Sequence, residues 1–462
     1  MTALGWRTAL LALILLGCSQ SATSASDAFE TNRLLGPGIN FGNALEAPKE
    51  GDWGMVLEPG FFDLVKQAGF EHIRLPVSWT YHAEKISPYT IDPKFFARVD
   101  WALEQATQRG LRIVLNVHHY DELNADPVGE EARALAIWRQ IAEHYKNQPN
   151  LVYFEVLNEP HSKFNENPQL WNAYLAKAIA VIRQSNPARP VVVGPVGWNS
   201  IRKLPDLKLP NDPNLIVTVH FYEPLAFTHQ GAEWVQPTPP VGTAWTGTKP
   251  SWAWSWTDWS WDSGLRFSPT GGLEVTYNKG WAGLYLHSDP GAEGYTALAF
   301  RTDRAVSLSL SCNRVKSKAL TAPVNLETVF SFSDCGSPPR LHDLILQNNT
   351  PEPQPTYTLS GLELRGPGKV LPLVTNEAGA IQGAFAFAAD WAKTNHRPLY
   401  VGEFGSYGKA ELDSRVRWTT AVRVEAERQG FSWAYWEFGA GFGIYDRAAR
   451  SWRVPLLNAL IP

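Results

Sequence analysis

The 462 residues carry 41 Lys and Arg against 45 Asp and Glu, a formal charge of −4, and 44% of them are hydrophobic. No basic excess points to nucleic acid, no acidic run suggests a disordered tail, and the apolar content is enough for a large core. At this length more than one structural unit is expected. The outlier is tryptophan, at 20 residues. An indole offers a flat apolar face with one polar N–H, so this excess either fills large cores or stacks on flat ligands such as sugar rings.

The N-terminus reads as a targeting segment. Arg7 precedes the apolar run "TALLALILLGC", and small polar residues follow. That is an export signal, too short to span a bilayer permanently. "LLGC", Leu15 to Cys18, resembles the bacterial lipoprotein signal, in which the cysteine becomes the lipidated first residue. Cleavage further on, within "SATSASDA", is the alternative. Residues 1–18 are therefore read as signal and 19–30 as linker. The chain is expected to be exported, as an outer-membrane lipoprotein with a lipid anchor or as a periplasmic or extracellular protein. Several acyl chains would anchor firmly where one binds only marginally.

From residue 36 strands alternate with helices. "GPGINFGN" is a strand, and "EPGFFDLVKQAG" is a helix stopped by Gly69. "EHIRLPVSW" is a strand. "DPKFFARVDWALEQATQRG" is an amphipathic helix with Asp92 as N-cap and Pro93 in its first turn. "LRIVLNVHHY", "LVYFEVLNE", "PVVVG" and "NLIVTVHFY" are strands, the first two followed by helices at "EEARALAIWRQIAEHY" and "PQLWNAYLAKAIAVIRQS". Such alternation means a parallel sheet with covering helices.

From about Trp245 to Leu373 the helical period vanishes. Short alternating runs such as "LEVTYN", "WAGLYLHS", "AVSLSLSC" and "LHDLILQN" replace it, which reads as a β-sandwich. Cys312 and Cys335 both fall in this stretch. In an exported protein the pair suggests a disulfide, with two isolated thiols as the alternative. The first pattern then resumes: helix "AIQGAFAFAADWAKTN", strand "RPLYVGEFG", helix "SRVRWTTAVRVEAERQG", strand "FSWAYWEF" and helix "VPLLNAL".

Across the gap there are eight strands, at 38–42, 71–76, 111–118, 151–157, 190–194, 214–221, 398–402 and 432–436. Eight parallel strands with intervening helices predict an α/β fold, a (β/α)8 barrel. It is divided into residues 31–245 and 373–462 by an all-β sandwich at 246–372, inserted after the sixth strand.

In such barrels polar residues at the C-terminal ends of strands line the active face. Here these are Asn40 and Asn43, Arg74, His118 and His119, Asn158 and Glu159, His220 and Tyr222, Glu403, and Trp436. Two carboxylates on separate strand ends, with donors and tryptophan around them, are the equipment for glycoside hydrolysis. There is no dinucleotide-type glycine loop and no HExxH, and nothing in the sequence requires a metal or other cofactor.

The same residues carry a resemblance. "GINFGNALEAP", "GFEHIRLPVSW", "LNVHHY", "LNEPH", "VHFYEPLAFTHQGAEW", "RPLYVGEFG" and "WAYWEFGAGFGIYD" occur in order on the expected strand ends. Through them both barrel segments, but not the insert, resemble glycoside hydrolase family 5, with wording nearest to bacterial endoglucanases, some of which also accept mannan. The resemblance implies a retaining hydrolase of β-1,4-glucan acting on a polysaccharide or oligosaccharide as a monomer, with Glu159 as acid/base and Glu403 as nucleophile. Another β-glycan (mannan, xyloglucan or mixed-linkage glucan) and a non-catalytic carbohydrate-binding protein are the alternatives. Arg74 would keep Glu403 charged, Asn158 would donate to the sugar 2-hydroxyl, Tyr222 would orient Glu403, His118 and His220 would complete the network, and Trp436 would form a stacking floor. His118 and His119 alternate faces, so one should face the substrate and the other can be structural. Asn40 and Asn43 are expected to be structural. His229 and Gln230 either line an outer subsite or fix their loop. Glu155, inside the fourth strand, is expected to be a buried structural carboxylate paired with Arg or His.

In the insert, "SWAWSWTDWSW" places Trp252, Trp254 and Trp256 at period two, which on a strand puts them on one face. They either pack the insert onto the barrel or form an exposed platform for carbohydrate.

Overall fold

The computed structural model describes residues 27–268 and 272–462. The export signal and Cys18 lie outside the described residues. All eight expected barrel strands form: β1 (Pro37–Asn40), β2 (His72–Leu75), β3 (Arg112–Asn116), β4 (Val152–Glu155), β5 (Val191–Val193), β6 (Leu215–Phe221), β7 (Leu399–Phe404) and β8 (Ser432–Tyr435). They close in that order, with β8 pairing back onto β1 in parallel.

The covering helices follow the local chemistry. The helix Pro93–Gln108 starts where the Asp92 side chain accepts from the Lys94 N–H at 2.8 Å. The helix Pro59–Ala68 stops where Gly69 takes φ 101°, a left-handed position that glycine occupies without a Cβ clash. The helix Glu377–Asn395 begins three residues before the expected start, because Asn376 caps the Gly379 N–H.

Two apolar layers result. Between sheet and helices lies the main core. Inside the barrel Val114, Tyr153, Val192, Ile216, Tyr400 and Ala434, one from each of six strands, fill the lower half. The short helix Ala28–Arg33 closes that end, with Asn32 donating to the Leu399 carbonyl at 2.8 Å. Two residues further up each strand the inward positions turn polar, and this is where the site begins.

Between β6 and β7 the chain builds two antiparallel sheets around their own core, the all-β insert of the expected fold class. It leaves and rejoins the barrel through a two-stranded neck, Pro250–Trp252 paired with Val374–Asn376. Cys312 and Cys335 are disulfide-bonded within it, joining the strand Val306–Cys312 to the short helix Phe332–Cys335.

The tryptophan run departs from the expected single strand. Pro250–Trp252 and Trp256–Asp258 are separate strands in different sheets, broken at Ser255, whose φ is 76°. The three indoles therefore part company. Trp256 is buried in the insert core, and Trp252 packs against the same core beside Phe267. Trp254 packs onto the barrel core beside Phe387, with the Arg202 guanidinium 4.9 Å from its ring centre. Only Trp254 packs the insert onto the barrel as expected; Trp252 and Trp256 serve the insert's own core instead.

Candidate active site

Strand alternation brings Arg74, Glu155, Asn116 and His220 into the upper barrel, because each lies two or four residues above an inward-facing position of the lower layer: His72, Tyr153, Val114 and Ile216. Arg74 is fully buried and organises the rest. Its Nε and Nη2 donate to the two oxygens of Glu155, each at 2.7 Å. Nη1 donates to Asn40 Oδ1 at 2.9 Å and to Glu403 Oε1 at 2.5 Å, and Nη2 also donates to Asn158 Oδ1 at 2.7 Å. Burial opposes the Arg74 charge, but Glu155 and Glu403 on either side hold its pKa well above the ordinary value. Glu155 is the buried, Arg-paired carboxylate that the sequence leads one to expect.

Glu403 reaches this cluster through an irregularity. Val401 pairs with Val219, but His220 pairs with Glu403. Gly402 is the additional residue of a β-bulge. Since inward and outward positions alternate, an unbulged strand would aim Glu403 at the helices, whereas one extra residue turns it into the barrel. Only glycine suits the bulge. A Cβ on Gly402 would lie 2.5 Å from Thr218 Oγ1, and the Gly402 carbonyl accepts from Asn40 Nδ2 at 3.0 Å.

Glu403 then receives Arg74 on one oxygen and the Tyr222 hydroxyl on the other, at 2.8 Å. Glu159 stands just past β4 with φ 48°. Its Oε1 meets His220 Nδ1 at 2.7 Å. Asn199 Nδ2 donates to His220 Nε2 at 3.2 Å. The His220 ring, held neutral by burial that lowers its pKa to about 4, therefore carries its proton on Nδ1 and donates it to Glu159. The second Glu159 oxygen stays free. One oxygen of each carboxylate and a ring nitrogen of His220 lie within 4.8 Å of one another.

Burial pushes the Glu159 pKa up to about 7. Burial also raises Glu403, against His220, Arg74 and the Tyr222 hydrogen bond. Glu403 is in direct contact with a guanidinium and a phenol, whereas Glu159 has one neutral imidazole. The shared charge therefore rests on Glu403 and the shared proton on Glu159. Among the described residues Glu159, His220 and Glu403 form the one cluster with the composition of a metal site. Arg74 already occupies Glu403, and its fixed positive charge disfavours a cation there.

The other expected residues fall around this centre. His118 is buried, its Nδ1 accepting from Asn116 Nδ2 at 3.1 Å, and its ring lies parallel to Trp436 at 5.6 Å. His119 is half-buried and meets Trp53 edge-on at 5.6 Å. Trp436 is part-exposed above Gly42. Asn40 is fully internal, as expected. Asn43 is likewise a loop residue, where the buried Glu46 carboxylate accepts from the backbone N–H groups of Asn43 and Ala44. Gln230 is buried and ties its loop to Phe227, Gly242 and Thr243. His229 packs edge-on against Tyr222.

Sequence reasoning missed Asn116, Asn199 and Gly402. Asn116 lies inside "LNVHHY", and its place two residues before His118 was the available signal. Asn199 is presented by three successive left-handed residues, Gly197, Trp198 and Asn199, at φ 69°, 59° and 56°. Glycine and asparagine adopt that conformation readily, but nothing local announces tryptophan there.

A (β/α)8 barrel with two carboxylates facing each other across its top defines the glycoside hydrolase class. Comparison with known proteins agrees. The cellulase (glycosyl hydrolase family 5) profile matches residues 38–262. Endoglucanase H of Acetivibrio thermocellus is 39% identical over 210 residues, which is 46% of this chain and 23% of that protein. Endoglucanase A of Ruminococcus albus is 30% identical over 226 residues, 43% of this chain and 61% of that one. The chain thus spans between about a quarter and three fifths of these curated relatives. The endoglucanase Cel5A of hyperthermophilic Thermotoga maritima has a solved structure 34% identical to this chain, with a TM-score of 0.65, covering 94% of this chain and 100% of its own. That protein has also been crystallised with mannotriose and with cellobiose. The chain belongs to glycoside hydrolase family 5.

Proposed function

We propose that this protein is a retaining β-glycosidase, an endo-β-1,4-glucanase that cleaves glucan chains by double displacement. The observation that carries the reading is the approach of the Glu159 and Glu403 oxygens to within 4.8 Å. Retaining enzymes hold their carboxyl groups about 5–5.5 Å apart, and inverting enzymes keep them about 6.5–9.5 Å apart to admit a water.

In the first step Glu403, kept charged by Arg74 and aimed by Tyr222, attacks the anomeric carbon. Glu159 gives its proton to the departing glycosidic oxygen. A glycosyl ester on Glu403 removes the negative charge that kept Glu159 protonated, so the Glu159 pKa falls. Glu159 then takes a proton from water, which attacks the same carbon and frees Glu403. Asn158, tied to Arg74 through its carbonyl, has its amide N–H groups free for the sugar 2-hydroxyl. Trp436 beside His118 supplies a flat wall for the ring being cleaved.

Mannan is the second reading, favoured by the mannotriose complex of the Thermotoga relative. A decayed, binding-only barrel is disfavoured by the completeness of the Arg74 network. Export and lipid anchoring remain part of the proposal through the "LLGC" signal alone.

The test is a 2-fluoro-cellobioside inactivator followed by peptide mass mapping. The adduct is expected on Glu403, and proton NMR of early products should show the β-anomer. An α-anomer product would overturn the retaining mechanism. On a panel of soluble β-glycans, β-1,4-glucan is expected to be cut fastest, with viscosity falling before reducing ends accumulate.

A further inference from the structure

With Trp252, Trp254 and Trp256 committed to packing, the insert still shows three indoles to solvent. Trp259, Trp261 and Trp281 are 48%, 36% and 47% exposed. They gather on the outer face of one sheet of the sandwich. Along the strand Gly283–Glu293 the outward positions are Gly283, Tyr285 and His287. Trp261 lies flat over Gly283, where a Cβ would come within 2.3 Å of its ring. Its Nε1 donates to the Trp281 carbonyl at 3.2 Å. Trp259 stacks on His287 at 4.0 Å and 7° and meets Tyr285 edge-on at 5.6 Å.

The surface beneath the rings is held rather than loose. Asp343 on the neighbouring strand accepts from the Tyr285 hydroxyl at 2.6 Å and from His287 Nδ1 at 2.7 Å. Gln347 pins the Trp281 carbonyl at 2.8 Å, and the Lys316 ammonium stands 5.7 Å from the Trp281 ring.

We infer that this face is a second binding site, taking an uncharged β-linked glycan chain outside the catalytic cleft. The surface is aromatic rather than aliphatic, which suits the flat C–H faces of successive pyranose rings. Among the described residues its charges are few and mixed: Arg314 sits 3.6 Å from Asp343, Lys279 pairs with Asp262 at 2.9 Å, and the Lys316 ammonium stands near the Trp281 ring. A polyanion would need a denser positive field. A preformed surface also lowers the ordering cost of binding. The choice of glycan rests on the hydrolase reading above.

Affinity electrophoresis of the full chain, through gels containing hydroxyethylcellulose or galactomannan, tests this. A Glu403→Gln background prevents digestion of the gel. Pairing Trp259→Ala with Trp281→Ala is expected to weaken retardation at least tenfold. In the Glu403-containing enzyme the same pair should leave aryl-cellobioside turnover within twofold. The milder Trp259→Phe and Trp281→Phe pair keeps rings in place and covers the case of misfolding, with a severalfold loss expected. Unchanged retardation in both pairs overturns the inference, as does self-association of the chain that these changes abolish without any effect on glycan. If the enzyme cuts glucan but the tryptophan changes are silent, only this inference falls. If it never cuts glucan yet the changes abolish retardation, only the hydrolase reading falls.

Discussion

At the level of single residues the proton ledger of the site sets two expectations. Glu159 must be protonated to act as the acid, and its pKa stands at about 7. Activity is therefore held below that pH and lost as pH rises through it. The alkaline limb of kcat/KM against pH should bend near 7; a profile flat to pH 9 would contradict the assignment. Glu159→Ala should cost roughly 10²–10⁴-fold on poor leaving groups but far less on activated aryl glycosides, and equal losses on both would argue against the acid role. Gly402→Ala tests the bulge. Moving Glu403 by even about 1 Å should lower kcat on the order of 10²-fold, read out by steady-state kinetics beside a thermal melt showing a folded chain. The carboxylates were legible in the sequence because "NEP" and "GEFG" sit at strand ends. The bulge was not: alternation counts residues, and only pairing shows that one has been skipped. Asn199 was hidden for a related reason, since a run of left-handed residues leaves no periodic trace.

At the level of elements the helices and strands followed their caps and periods closely. The period-two tryptophans misled because spacing alone cannot reveal that Ser255 breaks the strand. Trp254 became the hinge pin between insert and barrel. Trp254→Ala should lower unfolding free energy by about 3 kcal/mol, the low end for losing a large aromatic from a core, as measured by urea titration. Within the insert the disulfide spans a sequence separation of 23. In the chain-entropy account a loop of that size stabilises by about 3 kcal/mol. Replacing both Cys312 and Cys335 by alanine should lower the insert's unfolding midpoint while sparing aryl-glycoside turnover. A matching loss of turnover would mean that the barrel depends on the insert for its own folding.

For the whole molecule, buried titratable groups set a pH optimum of stability. Burial raises Glu46 from 4.5 to about 8 and Glu437 to about 7. The folded chain then binds more protons than the unfolded one across that range, so these groups make stability fall as pH rises through it. Buried neutral histidines act in the opposite sense. Burial lowers His72 to about 3 and His229 to about 4, from 6.5, so stability falls as pH drops below 6.5. The two sets oppose each other between pH 4.5 and 6.5, and above 6.5 the carboxylates act alone. Unfolding free energy is expected to decline by about 2–3 kcal/mol between pH 6.5 and 8, at up to about 1.4 kcal/mol per unit for each group that titrates, and Glu46→Gln should remove the larger part of that decline. The barrel and its interruption were readable from the sequence; how the interruption is joined was not. Because Pro250 and Asn376 are partners in the neck, the barrel meets the sandwich as two chain ends already side by side. To the barrel the whole insert is equivalent to a tight turn between the loop that follows β6, residues 222–249, and the helix before β7. Joining those two ends directly would leave every barrel strand with the neighbour it already has.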